Sequence, residues 1–206
     1  MADNFGFTEG SGKTIRSDDV SGIQYQVVKL DLGGDGVSIA ATANDSTLAG
    51  LPVTPRYKRS RLSVTPTISA AAIYASGDAV GGIMTFSNAA RATGGSGVIR
   101  GVTVIDKDSE LAALELVLFD QTIAGTVTDN SAFDPTDADL ANVIGWVKIV
   151  ATTGYLAFAD NSAAFVQAEI PYVCNGTSLF GALVTRGTPT YTATTDLTVI
   201  LTVELD

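Results

Sequence analysis

The sequence has no histidine, one cysteine and one tryptophan among its 206 residues. Without histidine, the chain lacks the commonest metal ligand and the usual general base at neutral pH. A serine or cysteine nucleophile would have no imidazole to activate it, so we predict neither enzyme activity nor a cofactor. The single cysteine, Cys174, excludes an intrachain disulfide, and its neighbours Tyr172 and Val173 favour a buried, unreactive thiol.

Basic residues are also scarce, with 12 lysines and arginines against 22 aspartates and glutamates. Residues 1–61 hold seven acids and seven bases, whereas residues 62–206 hold fifteen acids and five bases. The second segment therefore carries the whole net charge of −10. Because nucleic-acid-binding domains usually show a net basic surface, this composition predicts no nucleic-acid partner.

Long apolar runs are absent as well. None approaches the ~20 residues that a membrane-spanning helix needs. Residues 1–6 also lack the charged-then-apolar pattern of a secretion signal. We therefore expect synthesis in the cytoplasm and no membrane partner.

The chain instead contains many short segments with the two-residue period of half-buried strands. Leucines alternate in residues 113–119, and apolar residues alternate in the same way in residues 197–205. We interpret residues 97–119 as a hairpin whose charged connection, residues 106–110, forms a solvated tip. The predicted strands of this part of the chain are residues 62–68, 82–86, 98–105, 111–119, 145–150, 165–170, 178–185 and 197–205.

Many strands with Gly- and Pro-rich turns, and no alternating long helices, predict an all-β fold, a sandwich or a barrel, for residues 62–206. One short helix interrupts the strands. Asp134 is a suitable N-cap, Pro135 suits the first helical position, and apolar residues in 140–144 follow at helical spacing. Gly145 is predicted to end this helix.

Residues 1–61 are predicted to lie outside this body, as an arm, a short hairpin and a linker. Residues 1–22 are rich in small polar residues, and residues 24–30 and 37–40 are candidate strands. Residues 10–14, Gly-Ser-Gly-Lys-Thr, lack the earlier glycine and the preceding strand of a phosphate-binding loop, which favours a plain turn. A hairpin this small is marginal alone, so we expect it to dock on the body or on a partner.

Two groups of residues in this N-terminal region are candidates for binding a partner. The strand at residues 24–30 could add to the edge of a neighbouring sheet. The basic segment at residues 56–61 could contact an acidic partner surface or the acidic body of a neighbouring subunit, or it could be a solvated linker. The candidate residues are Gln24, Tyr25, Val27, Lys29, Arg56, Lys58, Arg59 and Arg61.

Two acidic clusters contain carboxylate oxygens of the kind that Ca²⁺ prefers, but neither has the spacing of an EF-hand loop. The preference of carboxylates for a helix N-terminus explains the first cluster, which lies near the predicted helix. A solvated connection between two strands explains the second cluster. We therefore predict no metal site. The clusters are Asp134, Asp137 and Asp139 near the helix, and Asp106, Asp108 and Glu110 in the connection.

Several passages resemble structural proteins of tailed bacteriophages. Residues 10–15, the aspartates at 18 and 19 and the strand at 25–30 are similar to the N-termini of such proteins. The body is similar to their capsid-decorating, or cement, proteins in motifs that are turns and strand starts. These motifs are residues 81–86, 96–101, 129–133, 137–139, 144–145 and 183–191.

The resemblance implies a jelly-roll-like antiparallel β-sandwich, often trimeric, with an extended N-terminal arm that anchors it to the capsid shell. It implies a virion structural protein that binds the outer shell of a phage head and stabilises it against packaged DNA. The implied partners are the major capsid protein and other copies of this chain, and the implied location is the capsid surface of the virion. Trp146 or Phe180 could pack at a threefold contact.

Two other functions stay open at this point. Jelly rolls commonly serve as lectins, so the chain could be a receptor- or glycan-binding module of a phage head fibre or tail. Tyr155, Phe158 or Tyr191 would then line a sugar site. The acidic residues alone raise the third possibility, a carbohydrate-active enzyme, but the sequence singles out no carboxylate pair for it.

Overall fold

In a computed structural model of the protein, the described residues are 17–20, 23–26, 58–125 and 127–206. The chain divides into two compact units, Met1–Val53 and Thr54–Asp206.

The first unit contains a two-stranded antiparallel hairpin. Strand β1 (Ser17–Val20) pairs with strand β2 (Ile23–Gln26), and Val20 lies opposite Ile23. The first part of the strand predicted at residues 24–30 therefore pairs with residues 17–19, which precede it. Its second half and residues 37–40 lie outside the described residues.

The second unit is a β-sandwich of two antiparallel sheets that enclose an apolar core, which confirms the predicted all-β class. The four-stranded sheet has the order β4-β10-β6-β7, and the five-stranded sheet has the order β3-β11-β5-β9-β8. The strands are β3 (Lys58–Val64), β4 (Met84–Phe86), β5 (Ser96–Asp106), β6 (Leu114–Phe119), β7 (Val143–Ile149), β8 (Tyr155–Ala157), β9 (Ser162–Val173), β10 (Leu179–Thr185) and β11 (Leu197–Leu205).

The two-residue period places the predicted apolar faces in the core. Leu114, Leu116 and Leu118 of β6 are all buried, as the alternation predicts. Each fully buried leucine contributes roughly 2 kcal/mol of apolar transfer free energy. Cys174 is also buried, with 1% of its surface exposed and no disulfide, which confirms the prediction of an enclosed thiol.

The predicted hairpin at residues 97–119 is wrong. β5 lies in the five-stranded sheet and β6 in the four-stranded sheet, so their connection crosses from one sheet to the other. An alternating pattern shows which face is buried, but it does not show whether two strands pair or face each other. Leu111 has a left-handed φ of +51° and donates its N–H to the Asp106 carboxylate, so β6 begins only at Leu114.

The body begins earlier than the sequence pattern indicates. β3 starts at Lys58, four residues before the predicted strand, and Lys58 lies opposite Leu205 of β11. Residues 58–61 are therefore part of a sheet and not of a linker. Three of these four residues are basic, so the segment has no apolar alternation that would indicate a strand. β8, a strand of three residues, was also missed.

The one helix among the described residues, α1 (Asp137–Leu140), is capped by Thr136 and not by Asp134. The Thr136 side chain accepts a hydrogen bond from the Asp139 N–H, and the Asp139 carboxylate accepts one from the Thr136 N–H. This reciprocal pair is a capping box. The helix is too short to form the predicted apolar stripe, so residues 143–144 belong to β7.

Gly97 of β5 provides a test of core packing. A Cβ at this position would lie 2.5 Å from Tyr172 Oη and 2.6 Å from the Glu204 carbonyl oxygen. We therefore expect Gly97→Ala to destabilise the protein by about 2 kcal/mol through overpacking. At Gly176 a Cβ would meet nothing within 4 Å, so Gly176→Ala should change stability by less than ~0.5 kcal/mol. Equal urea midpoints for the two variants would contradict this assignment.

Asp139 provides a test at acidic pH. Its buried carboxylate accepts hydrogen bonds from Ala124 N, Gly125 N, Thr136 N and Thr136 Oγ1 at 2.7–3.0 Å. These bonds, the one from the Ala124 N–H foremost, lower the pKa of Asp139 to about 2. A lowered folded-state pKa stabilises the fold above the ordinary aspartate range, and that contribution is lost as pH falls through about 2.

We therefore expect Asp139→Asn to lower the melting temperature clearly at pH 6 and much less near pH 2. Asp137→Asn is the matched control, because Asp137 lies in the same helix but is exposed. Thermal unfolding followed by circular dichroism measures both variants. A gap between wild type and Asp139→Asn that is equally wide at the two pH values would rule out the ionised carboxylate as the stabilising group.

Candidate partner-binding surface

Three predicted residues lie together on β3, which is an outer strand of the five-stranded sheet. β11 pairs with one side of β3, and no strand in the described part of the chain pairs with the other. Lys58, Arg59 and Arg61 are all exposed on this strand. We call these three residues the basic edge.

The arginines of the basic edge point away from the core. Leu62 is buried and Val64 packs against the core, so the alternate residues Arg59 and Arg61 lie on the outer face of the sheet. The Arg59 side chain is 78% exposed, and its Nε lies 3.4 Å from a Glu204 carboxylate oxygen. A single exposed ion pair of this kind stabilises the fold weakly, by less than about 1 kcal/mol.

Glu204 links the basic edge to a charged row that crosses four strands. Its other carboxylate oxygen lies 3.3 Å from Arg100 Nη2, and Arg100 also pairs with Glu169 of β9. Arg100 is skipped in the pairing of β5 with both neighbours, and opposite β11 it is the extra residue of a β-bulge, whereas opposite β9 the extra residue lies on β9. The bulge places the guanidinium between two carboxylates from different strands. The row thus alternates in sign: Arg59, Glu204, Arg100, Glu169.

Two cations of the basic edge take no part in this row. Among the described residues, neither Lys58 nor Arg61 has a carboxylate within 4.0 Å. Thr202 is the residue opposite Arg61 on β11. Both charges therefore lack a counter-ion within the described part of the chain.

The other predicted partner-binding residues lie in the first unit or outside the described residues. Gln24 and Tyr25 lie in β2 of the first unit. Val27, Lys29 and Arg56 lie outside the described residues. Sequence reasoning missed Arg100, whose position depends on the bulge. The alternation of β11 had indicated Glu204 as an outward residue, but not its partners.

Beside the charged row, the outer face of the five-stranded sheet carries two large exposed apolar side chains. Phe165 of β9 is 65% exposed and lies over Gly101, where a Cβ would come within 2.7 Å of the ring. Leu156 of β8 is exposed next to it, opposite Ala163. An exposed apolar patch beside paired charges is typical of protein–protein contact surfaces.

A separate exposed aromatic lies on the outer face of the four-stranded sheet. Trp146 of β7 is 62% exposed, whereas Phe180 of β10 is only partly exposed. Two residues along β7, Lys148 pairs with Glu115 at 3.1 Å, and Arg186 pairs with the same carboxylate at 2.7 Å. The Arg186 hydrogen bond is the main cause of a lowered Glu115 pKa.

The three aromatics predicted for a sugar site do not form an exposed cluster. Tyr191 is fully buried and packs edge-to-face on Tyr74, with ring centroids 6.0 Å apart. Tyr155 is half-buried and donates its hydroxyl to the Ala112 carbonyl at 2.8 Å. Phe158 alone of the three is exposed.

The acidic cluster of the strand connection is not a solvated tip. Asp106 is 1% exposed, and its carboxylate accepts the Asp108 and Leu111 N–H groups at 3.1 and 3.0 Å. Burial is the main cause of a raised Asp106 pKa, which these hydrogen bonds partly offset. Asp108 accepts two hydrogen bonds from Thr192, and Glu110 accepts the Thr190 N–H. The carboxylates of Asp108 and Glu110 therefore hold the connection between β5 and β6 to residues 190–192 through hydrogen bonds.

Within the described ranges, no group of three or more Asp, Glu, His or Cys residues is placed to hold a metal ion. The same ranges contain no helix with the length and apolar character to span a membrane. No model of a protein family matches the chain, and no curated protein matches it.

The charged row makes a testable prediction about Glu204. A hydrogen bond from Arg100 is the main cause of its lowered pKa, and Arg59 contributes less. We expect Arg100→Gln to raise the pKa of Glu204 towards that of an ordinary glutamate, and Arg59→Gln to raise it less. Carbon-detected NMR titration of the side-chain carboxyls measures both shifts, with Lys148→Gln as a control that leaves Glu204 unchanged. A larger shift in Arg59→Gln than in Arg100→Gln would be inconsistent with the bulge geometry.

Proposed function

We propose that this protein is a capsid decoration, or cement, protein of a tailed bacteriophage, which binds the outer shell of the head and stabilises it. One observation carries the proposal: Lys58 and Arg61, two cations without an acidic partner among the described residues, lie on the same outer strand of a body whose net charge is acidic. Charge of one sign gathered on one edge favours a protein contact of opposite charge. The resemblance in the turn and strand-start motifs supports the same function.

The strand order supports a jelly-roll topology for the body. The strands of one sheet are β3, β11, β5 and β9, and those of the other are β4, β10, β6 and β7. Consecutive strands therefore change sheet from β3 to β4, from β4 to β5 and from β5 to β6. A jelly roll consists of two Greek keys that form two four-stranded sheets. The body has two such four-stranded sets of strands, with β8 as an additional edge strand. Jelly rolls are frequent in viral capsid proteins, although fold alone does not decide function.

The proposed mechanism is multivalent attachment without bond-making chemistry. The first unit, Met1–Val53, would anchor to the major capsid protein, and the basic edge would add a second contact. Association of the bodies as a trimer would hold three anchors at high effective concentration, so that modest single contacts give stable attachment. The apolar patch around Phe165 and the exposed Trp146 are candidate surfaces for contacts between subunits. The acidic body would avoid binding DNA.

Deletion of the first unit tests the anchoring step. We expect a chain that starts at Thr54 to keep its β-sheet circular dichroism and cooperative unfolding, because the described core residues all lie in the second unit. Its binding to capsids stripped of this protein should weaken at least tenfold, because the anchor contacts are lost. Co-sedimentation with stripped capsids measures the binding, and the full-length chain is the control. A truncated chain that is folded and binds like the full-length chain would refute the anchoring role.

A glycan- or receptor-binding module of a head fibre or tail is the second candidate. The exposed rings of Trp146 and Phe158 favour it, because sugars stack on exposed aromatics in lectins. Virus particles that lack the protein separate the two functions. Loss of host adsorption with intact heads supports the receptor role, whereas normal adsorption with fragile heads supports the cement role.

A further inference from the structure

The outer edge of β3 has the features of an acceptor for an added strand. The strand has seven residues, as many as the outer strand β7 and more than the three-residue outer strands β4 and β8. On the side away from β11, its outward N–H and C=O groups have no strand partner in the described part of the chain. Such an edge binds an extended segment through main-chain hydrogen bonds, with specificity from alternate side chains.

The side chains of β3 define which segment would fit. A strand added beside β3 would place alternate residues on the outer face of the sheet, next to Arg59 and Arg61. Acidic residues at those positions would meet two guanidinium groups, one of which has no acidic partner in the described structure. The intervening residues would face the same side as Leu62 and Val64, which favours apolar side chains, except beside Lys58 at the exposed start of that face, which favours an acidic one.

We propose that β3 accepts an acidic, extended segment of the shell protein as a sixth strand of its sheet. The segment would alternate acidic and apolar residues. This inference rests on the proposed function for the identity of the partner, and on the charge and the free edge of β3 for its chemistry. It adds a strand-pairing contact made by the body to the anchoring by the first unit.

Charged residues on an outer strand can also serve to prevent edge-to-edge aggregation. The two roles predict opposite results when the charges are removed. A protective role predicts increased self-association of a neutralised variant, with shell binding unchanged. The docking role predicts weaker shell binding.

The experiment uses the full-length chain and capsid shells stripped of it. The test variant is Lys58→Gln/Arg61→Gln, which removes two charges that make no ion pair in the described structure. The control is Lys107→Gln/Lys148→Gln, which also removes two exposed positive charges from the body, together with the exposed Lys148–Glu115 ion pair. We expect the test variant to bind shells about tenfold more weakly, since each lost charge contact is worth up to about a factor of five. The control should bind within about twofold of wild type.

Hydrogen–deuterium exchange adds a readout specific to strand addition. We expect amides of residues 58–64 to become protected when the wild-type chain binds shells, because their outward N–H groups gain partners. If the test variant binds shells as wild type does, or if these amides stay unprotected in the wild-type complex, the inference is overturned and the proposed function stands. If the wild-type chain forms concentration-dependent dimers and the test variant does not, the edge of β3 binds a second copy of the chain. That result would overturn the shell protein as the occupant of the edge. Failure of the wild-type chain to bind shells would overturn the proposed function itself.

Discussion

The body depends on the burial of two apolar sheet faces against each other. Leu116 of β6, Leu183 of β10 and Val199 of β11 have no exposed surface, and they belong to one continuous core between the sheets. Because the chain crosses repeatedly between the sheets, neither sheet can form its inner face without the other. The loops that make these crossings must therefore provide hydrogen-bond partners for their own polar groups. The carboxylate of Asp106 does so at the β5–β6 crossing, where solvent is excluded.

The charge distribution follows from the same constraint. Because the inner faces form the apolar core, polar and charged side chains are confined to the outer faces, the strand edges and the loops. Acidic side chains serve many local structural tasks there, such as the capping box at Asp139 and the hydrogen bonds of Asp108 to Thr192. The unpaired cations of β3 have no such local task in the described structure. This contrast is the reason to assign them to a partner.

Local patterns predicted the fold class and many strands, because burial on one face of a strand imposes a period of two. They did not predict which strands pair with each other. Leu114 to Leu118 alternates as it would in a hairpin, yet β6 faces β5 across the core. The basic start of β3 has no apolar alternation, and only its pairing with residues 202–205 makes it a strand. The basic candidate site was therefore found by charge, while its continuation through Arg100 depends on a bulge that no local signal specifies.

The enclosure of Cys174 has a consequence for the redox chemistry of this protein. Its thiol is the only one in the chain, and burial raises its pKa, so little reactive thiolate exists in the folded state. Oxygen and thiol reagents in the medium therefore meet no accessible sulfur, and copies crowded together do not become cross-linked through disulfides. Covalent labelling of the Cys174 sulfur would instead measure the fraction of molecules in which the β-sandwich has unfolded.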